Sequence, residues 1–136
     1  MNKQFEGKVA FISGGTSGLG KATVYELVKR GARVIFVGRD DAKAQEVINK
    51  CKELGGEAEY KNCDITKHQN VIDVFGYIRE RYGKLDFAGN VAGTGIPSTQ
   101  IDDTTDDQID MMIDINLKGL IYCMIEEIKI MREHSF

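Results

Sequence analysis

Eight consecutive residues of this chain have the types and order needed to hold a phosphate. Ser13-Gly14-Gly15-Thr16-Ser17-Gly18-Leu19-Gly20 follows the apolar run Val9-Ala10-Phe11-Ile12 and opens a helical pattern at Lys21. Strand, glycine turn, then helix is the setting in which such glycines have meaning. They let the backbone turn sharply and let a pyrophosphate approach closely. The helix start behind them offers free N–H groups and the positive end of a dipole. The spacing Gly14-x3-Gly18-x-Gly20 is wider than the Gly-x-Gly-x-x-Gly fingerprint, so the flanking elements carry much of the argument. The expected ligand is a dinucleotide.

Charge beyond the loop speaks to which dinucleotide. An acid about 20 residues after such glycines binds the ribose hydroxyls of NAD. Eighteen residues after Gly20 stands Gly38, which has no side chain for that task, and Arg39 follows. A guanidinium matches the geometry and charge of a phosphate, which favours NADP. Asp40 and Asp41 keep NAD as the alternative, because either could reach the ribose or pair with Arg39.

The elements that must position these groups recur at intervals of about 25 residues, the length of a strand–helix unit. The apolar strand candidates are Lys8–Ile12, Arg33–Val37, Ala58–Asn62 and Leu85–Val91. Helical patterns fill the gaps: Gly18–Arg30 before Gly31, Asp41–Leu54 before Gly55-Gly56, and one running to about Tyr82 before Gly83. Thr66 with Gln69 reads as a capping box for the third helix, and Thr105 with Gln108 for the last and longest one, to about Glu133. That last helix has apolar residues on more than one face, from Ile109 through Leu117 to Ile128, so it should be covered on two sides. The acidic stretch Ile101–Asp107 reads as a solvated loop and helix start. Alternating strands and helices imply an α/β fold: a Rossmann-like parallel sheet in the order 3-2-1-4 with helices on both faces. The ligand should lie at the switch between strands 1 and 4. Gly89 inside strand 4 should weaken it and leave a packing gap.

Composition sets outer bounds. The 136 residues suit one domain. A net charge of −3 leaves no electrostatic footprint for nucleic acid or anionic membrane. No apolar run approaches a membrane span, and the first residues do not form a signal peptide. Cys51, Cys63 and Cys123 are widely spaced and read as reduced thiols, with cytoplasm as the expected compartment. His68 and His134 lie far apart, so no metal site is expected.

Four motifs, in order, resemble the classical short-chain dehydrogenases/reductases. Ser13–Gly20 looks like their Thr-Gly-x3-Gly-x-Gly loop, with Ser13 in place of Thr. Cys63-Asp64-Ile65-Thr66 resembles the Asp-Val/Ile-Thr/Ser element at the end of strand 3. Asn90-Val91-Ala92-Gly93 resembles Asn-Asn-Ala-Gly, with Val91 in place of the second Asn, and Asn116-Leu117-Lys118-Gly119 resembles Asn-x-x-Gly. The resemblance implies that Ser13, Gly14, Thr16, Ser17, Gly18, Leu19, Gly20, Arg39, Asp64, Ile65, Asn90, Ala92 and Gly93 bind the cofactor, with Asp64 at the adenine. It implies that Asn116 is the Asn of an Asn-Ser-Tyr-Lys catalytic set. Independently of the resemblance, the Asn90 amide could tie neighbouring backbone groups together.

In that family the Tyr is the acid/base group and the Lys lowers its pKa. Those groups should follow the last helix, beyond Phe136, and Ser135 comes too early to be the Ser. Tyr25 and Lys29 form a literal Tyr-x3-Lys, but on the first helix, where they read as an ordinary surface pair. The chain is therefore expected to be the truncated, nucleotide-binding half of an NAD(P)-dependent carbonyl/alcohol oxidoreductase, catalytically incomplete alone. A carbonyl or alcohol substrate would bind only once the missing half is supplied. Two rival readings are a non-catalytic dinucleotide-binding module and a non-functional fragment kept folded by self-association. A homo-oligomer is expected, through the last helix (about residues 106–133), the edge of strand 85–91, or both.

Overall fold

The computed structural model describes residues 3–94 and 100–134. Its strands are β1 (Val9–Ser13), β2 (Arg33–Gly38), β3 (Ala58–Asn62) and β4 (Phe87–Asn90), and all pair in parallel in the order β3-β2-β1-β4. The crossovers are α1 (Gly18–Lys29), α2 (Asp41–Glu53) and α3 (His68–Tyr82). After β4 come a 3-10 turn (Ile101–Asp103), α4 (Asp106–Ile113), a π-helical segment (Asp114–Gly119) and α5 (Leu120–Glu133).

Side-chain alternation along the strands divides the core in two. Ala10, Ile12, Val34 and Phe36 point to one face and pack against Val24 and Val28 of α1 and Val47 of α2. Phe11, Ile35 and Val37 point to the other face and meet Phe75 and Ile78 of α3 with Cys123 and Ile130 of α5. Helices thus cover both faces, and the C-terminal ends of β1 and β4 meet at the switch point. Cys51, Cys63 and Cys123 are free and buried, with thiols pushed up by burial to about 11, 11 and 12.

Several local expectations are corrected. Thr66 and Gln69 form no capping box. The Thr66 N–H and hydroxyl both donate to Asp64 Oδ1, the Gln69 amide reaches Asp73, and α3 begins at His68. Thr105 and Gln108 do form theirs. The last helix is one rod in three pieces, because a wider turn at Asp114–Gly119 interrupts the α-helical ladder. Gly89 leaves no gap: a Cβ there would lie 2.8 Å from Ile12 Cδ1, so the Ile12 side chain takes that space.

Candidate dinucleotide site

The glycine loop is held from three sides. The N–H groups of Gly14 and Gly15 donate to the Val37 carbonyl, at 3.1 and 3.3 Å, which leans the loop onto the end of β2. Gly14 has φ +71°, and a Cβ there would lie 2.7 Å from the backbone of Ala92. Gly20 brings α1 against the loop so closely that a Cβ would sit 1.9 Å from the Gly14 carbonyl oxygen. The Ser13 hydroxyl accepts from the N–H groups of Val91 and Ala92, at 3.1 and 3.2 Å, and ties the ends of β1 and β4 together.

The start of α1 is left open. Ser17 precedes it in extended conformation and makes no side-chain capping bond, and no acid stands in the first turn. Gly18 has φ +57°, with nothing within 4 Å of its Cβ direction. The result is a set of uncapped N–H groups at the positive end of a helix, a ready anion site. Leu19, 72% exposed, stands beside it.

A cleft of about 900 Å³ opens from this loop, a size that suits a dinucleotide-scale ligand. Its lining includes Thr16, Gly38, Arg39, Asp64 and Ile65 as well as Ala92, Gly93 and residues of α4. A side chain at Gly38 would press on Thr16, whose Cγ2 lies 2.9 Å from the Cβ position. Arg39 Nη1 lies 3.4 Å from Asp64 Oδ2 across the cleft mouth. The Thr66 hydroxyl, and to a lesser degree Arg39, hold the Asp64 carboxyl below the ordinary carboxylate range.

Neither neighbouring acid pairs with Arg39. Asp40 caps α2 by accepting from the Lys43 N–H at 3.0 Å. Asp41 Oδ1 lies 2.7 Å from the Tyr60 hydroxyl and accepts from Asn62 Nδ2 at 2.9 Å.

Asn90 and Asn116 behave differently from each other. Asn90 Nδ2 donates to Glu127 Oε1 at 2.8 Å, so its amide reaches across to α5 instead of tying nearby backbone. Asn116 grips the backbone of Thr94 at both ends, through Oδ1 from the N–H and Nδ2 to the carbonyl, each at 2.8 Å. It sits in the wide π turn, which thereby clamps the segment after β4. Gly93 must be small for this, since a Cβ would lie 3.1 Å from Asn116 Oδ1. Tyr25 and Lys29 are absent from the cleft lining, and Tyr25 is half-buried against the core cluster under α1. Ser135 lies outside the described residues.

Some groups at the site escape sequence reasoning. Asp107, read as part of a solvated helix start, lines the cleft with Asp110 and Asp114. Glu127 is 4% exposed, although a charged residue on an amphipathic helix normally faces water. No metal-binding cluster is found among the described residues.

The sequence model of the short chain dehydrogenase family matches residues 8–136. This chain belongs to that family. Among curated relatives it is 36% identical over 129 residues to a 3beta-hydroxysteroid dehydrogenase of Mediterraneibacter gnavus, covering 95% of this chain and 47% of that protein. It is 35% identical over 122 residues to Tropinone reductase-like 1 of Erythroxylum coca, covering 87% and 43%. NAD+-bound xylitol dehydrogenase superposes with a TM-score of 0.92 at 25% identity, covering 97% of this chain and 51% of that one. A metagenomic short-chain oxidoreductase in complex with NADP gives 0.91 at 27%, covering 96% and 59%. The short-chain dehydrogenase chain described here thus spans about half the length of the relatives it matches. Its parallel sheet and order 3-2-1-4 are those of a dinucleotide-binding fold.

Proposed function

We propose that these residues form the cofactor-binding half of an NADP-dependent oxidoreductase acting on a carbonyl/alcohol pair. The observation that carries this reading is the uncapped start of α1 behind Gly14–Gly20, with Arg39 the cation lining the cleft and both following acids engaged elsewhere. Loop and helix N–H groups would hold the pyrophosphate. Arg39, with the Thr16 hydroxyl beside Gly38, would take the 2′-phosphate. Asp64 and Ile65 would flank the adenine, while Ala92 and Gly93, just after Asn90 at the end of β4, would border the path toward the nicotinamide. NADP supplies or accepts the hydride when bound. Asn116 acts through its grip on Thr94, which holds that wall of the cleft in place. The Ser and Tyr-x3-Lys that the family resemblance calls for do not follow α5 within these 136 residues, and turnover by these residues alone is expected to be negligible. General acid–base groups alone contribute about 10²–10⁴-fold.

Calorimetry of the full chain with NADP and with NAD tests the reading. Saturable binding with NADP the tighter ligand supports it, and no binding of either overturns it in favour of a non-functional fragment. Turnover of carbonyl substrates separates the enzyme from a non-catalytic binding module. Three buried free thiols agree with a reducing compartment, from which we infer the cytoplasm.

We further propose a homo-oligomer built on the last helix. Ile109, Ile113, Leu117, Ile121, Met124 and Ile128 are all exposed at spacings of three and four residues. Together they form one apolar stripe along α4, the π segment and α5, of the kind that marks an interaction surface. Among the described residues β4 also ends the sheet, a second edge that a partner could pair with. A monomer at micromolar concentration by light scattering would refute this.

A further inference from the structure

We propose that Tyr60 and Asn62 are positioning residues for cofactor choice: from β3 they hold the Asp41 carboxylate off Arg39 and so protect an NADP preference. The inference rests on the cofactor reading above and adds to it residues outside the cleft lining.

Arg39, Asp40 and Asp41 are consecutive, and all three side chains are exposed at the end of β2. An unrestrained carboxylate so near a guanidinium would pair with it, or would repel an incoming phosphate. Asp40 is removed from that competition by capping α2. Asp41 opens α2 and has no cap of its own to serve. What restrains it comes from the next strand, where the Tyr60 hydroxyl at 2.7 Å and Asn62 Nδ2 at 2.9 Å both meet Asp41 Oδ1.

The restraint is anchored to the loop it serves. The Tyr60 ring packs on Phe36 with centroids 5.5 Å apart. Phe36 in turn lies directly beneath Gly15, where a Cβ would fall 2.6 Å from Phe36 Cβ. The Tyr60 hydroxyl also lies 3.1 Å from the Gly38 carbonyl, so it is fixed at both ends. Burial, and then the Asp41 carboxylate, push the Tyr60 phenol up to about 12, so it stays a neutral donor at physiological pH. With Asp40 and Asp41 held, Arg39 turns the other way. It meets Asp64 only at 3.4 Å and keeps 70% of its side chain exposed, within reach of a 2′-phosphate.

The test is calorimetry of the full chain with NADP and NAD, comparing wild type with Tyr60→Phe/Asn62→Ala. Freeing Asp41 is expected to weaken NADP by about two- to fivefold, the span open to surface charge pairs, with NAD changed much less. Adding Asp41→Asn to the double variant removes the charge and should restore the NADP affinity, which a merely structural role of Tyr60 would not do. Should the double variant fold poorly by circular dichroism, Asn62→Ala alone, at an exposed position, is expected to shift the ratio in the same direction. An unchanged NADP/NAD ratio in the variants, or no rescue by Asp41→Asn, overturns the inference while leaving the cofactor reading intact. Failure of wild type to bind either dinucleotide overturns both.

Discussion

The unit around α1 and the unit around α5 pack on opposite faces of this sheet and finish their surfaces differently. Around β1, α1 and β2 the packing is closed: Ala10, Ile12, Val24, Val28 and Phe36 are all buried in one cluster. Gly14 and Gly20 press on backbone and Gly15 on the Phe36 ring, and Asp40 and Asp41 have partners. Around β4 and α5 the surfaces are left open. Glu127 is buried, yet its Oε2, like the Oδ1 of its partner Asn90, has no hydrogen-bond partner among the described residues. On the far side of the same rod an apolar stripe faces solvent. The contrast teaches that the glycine-loop unit packs itself closed and leaves open only the start of α1, whereas the α5 unit carries buried groups without partners and an uncovered apolar stripe.

The sharpest way to break the closed unit is Gly20→Ala. Its methyl would need the space of the Gly14 carbonyl, 1.9 Å away, so loop and helix must part. Backbone cannot yield as a flexible side chain can, and a loss of about 4 kcal/mol or more is expected in urea melts, with nucleotide binding abolished. Ser13→Ala should follow. It strips the acceptor from the half-buried Val91 and Ala92 N–H groups, and a loss of about 1–3 kcal/mol in all is expected. A melt unchanged from wild type would mean that β1 and β4 are not joined there.

The closed unit is also the part that could be read from the sequence. Its strands are unbroken apolar runs, and its glycines answer to local demands of turn and close approach that spacing records. Elsewhere, local pattern was ambiguous or silent. Thr66 suits both a helix cap and a turn on Asp64, and spacing alone does not choose between them. The π turn at Asp114–Gly119 hides inside a continuous apolar periodicity, because the contact it serves, the grip of Asn116 on Thr94, lies 22 residues away. Glu127 looks like a solvent-facing residue until α5 packs on Asn90, 37 positions earlier. Asp41 was a rival partner for Arg39 until β3 brought Tyr60 and Asn62 to it.

Glu127 supplies a graded test of the open unit. Burial raises its carboxyl above the ordinary value of 4.5, against the opposing pull of the Asn90 amide. The unfolded chain therefore releases this proton first as pH rises, while the folded chain keeps it. Folding stability then falls with pH from that ordinary value up through the raised one, and is unaffected below it. Glu127→Gln removes this loss. The variant should melt higher than wild type at about pH 8, with the gap closing toward about pH 4. A gap independent of pH would show that Glu127 does not titrate in the folded protein.

The smallest effect on stability should come from the stripe, and its smallness is the point. Ile121 is a large apolar residue, but nearly half of it is already exposed, so it has little burial to lose within one chain. Ile121→Lys should change the urea midpoint of the monomer by no more than about 0.5 kcal/mol, as surface substitutions do. If a second copy covers the stripe, the same change places a charge in an apolar contact, where it is costly unless paired. Self-association measured by sedimentation should then weaken sharply while the monomer's melt stays where it was. Were the melt to fall as steeply as the association, Ile121 would belong to the core of the single chain. The contrast between a closed loop unit and an open helix unit would then have to be redrawn.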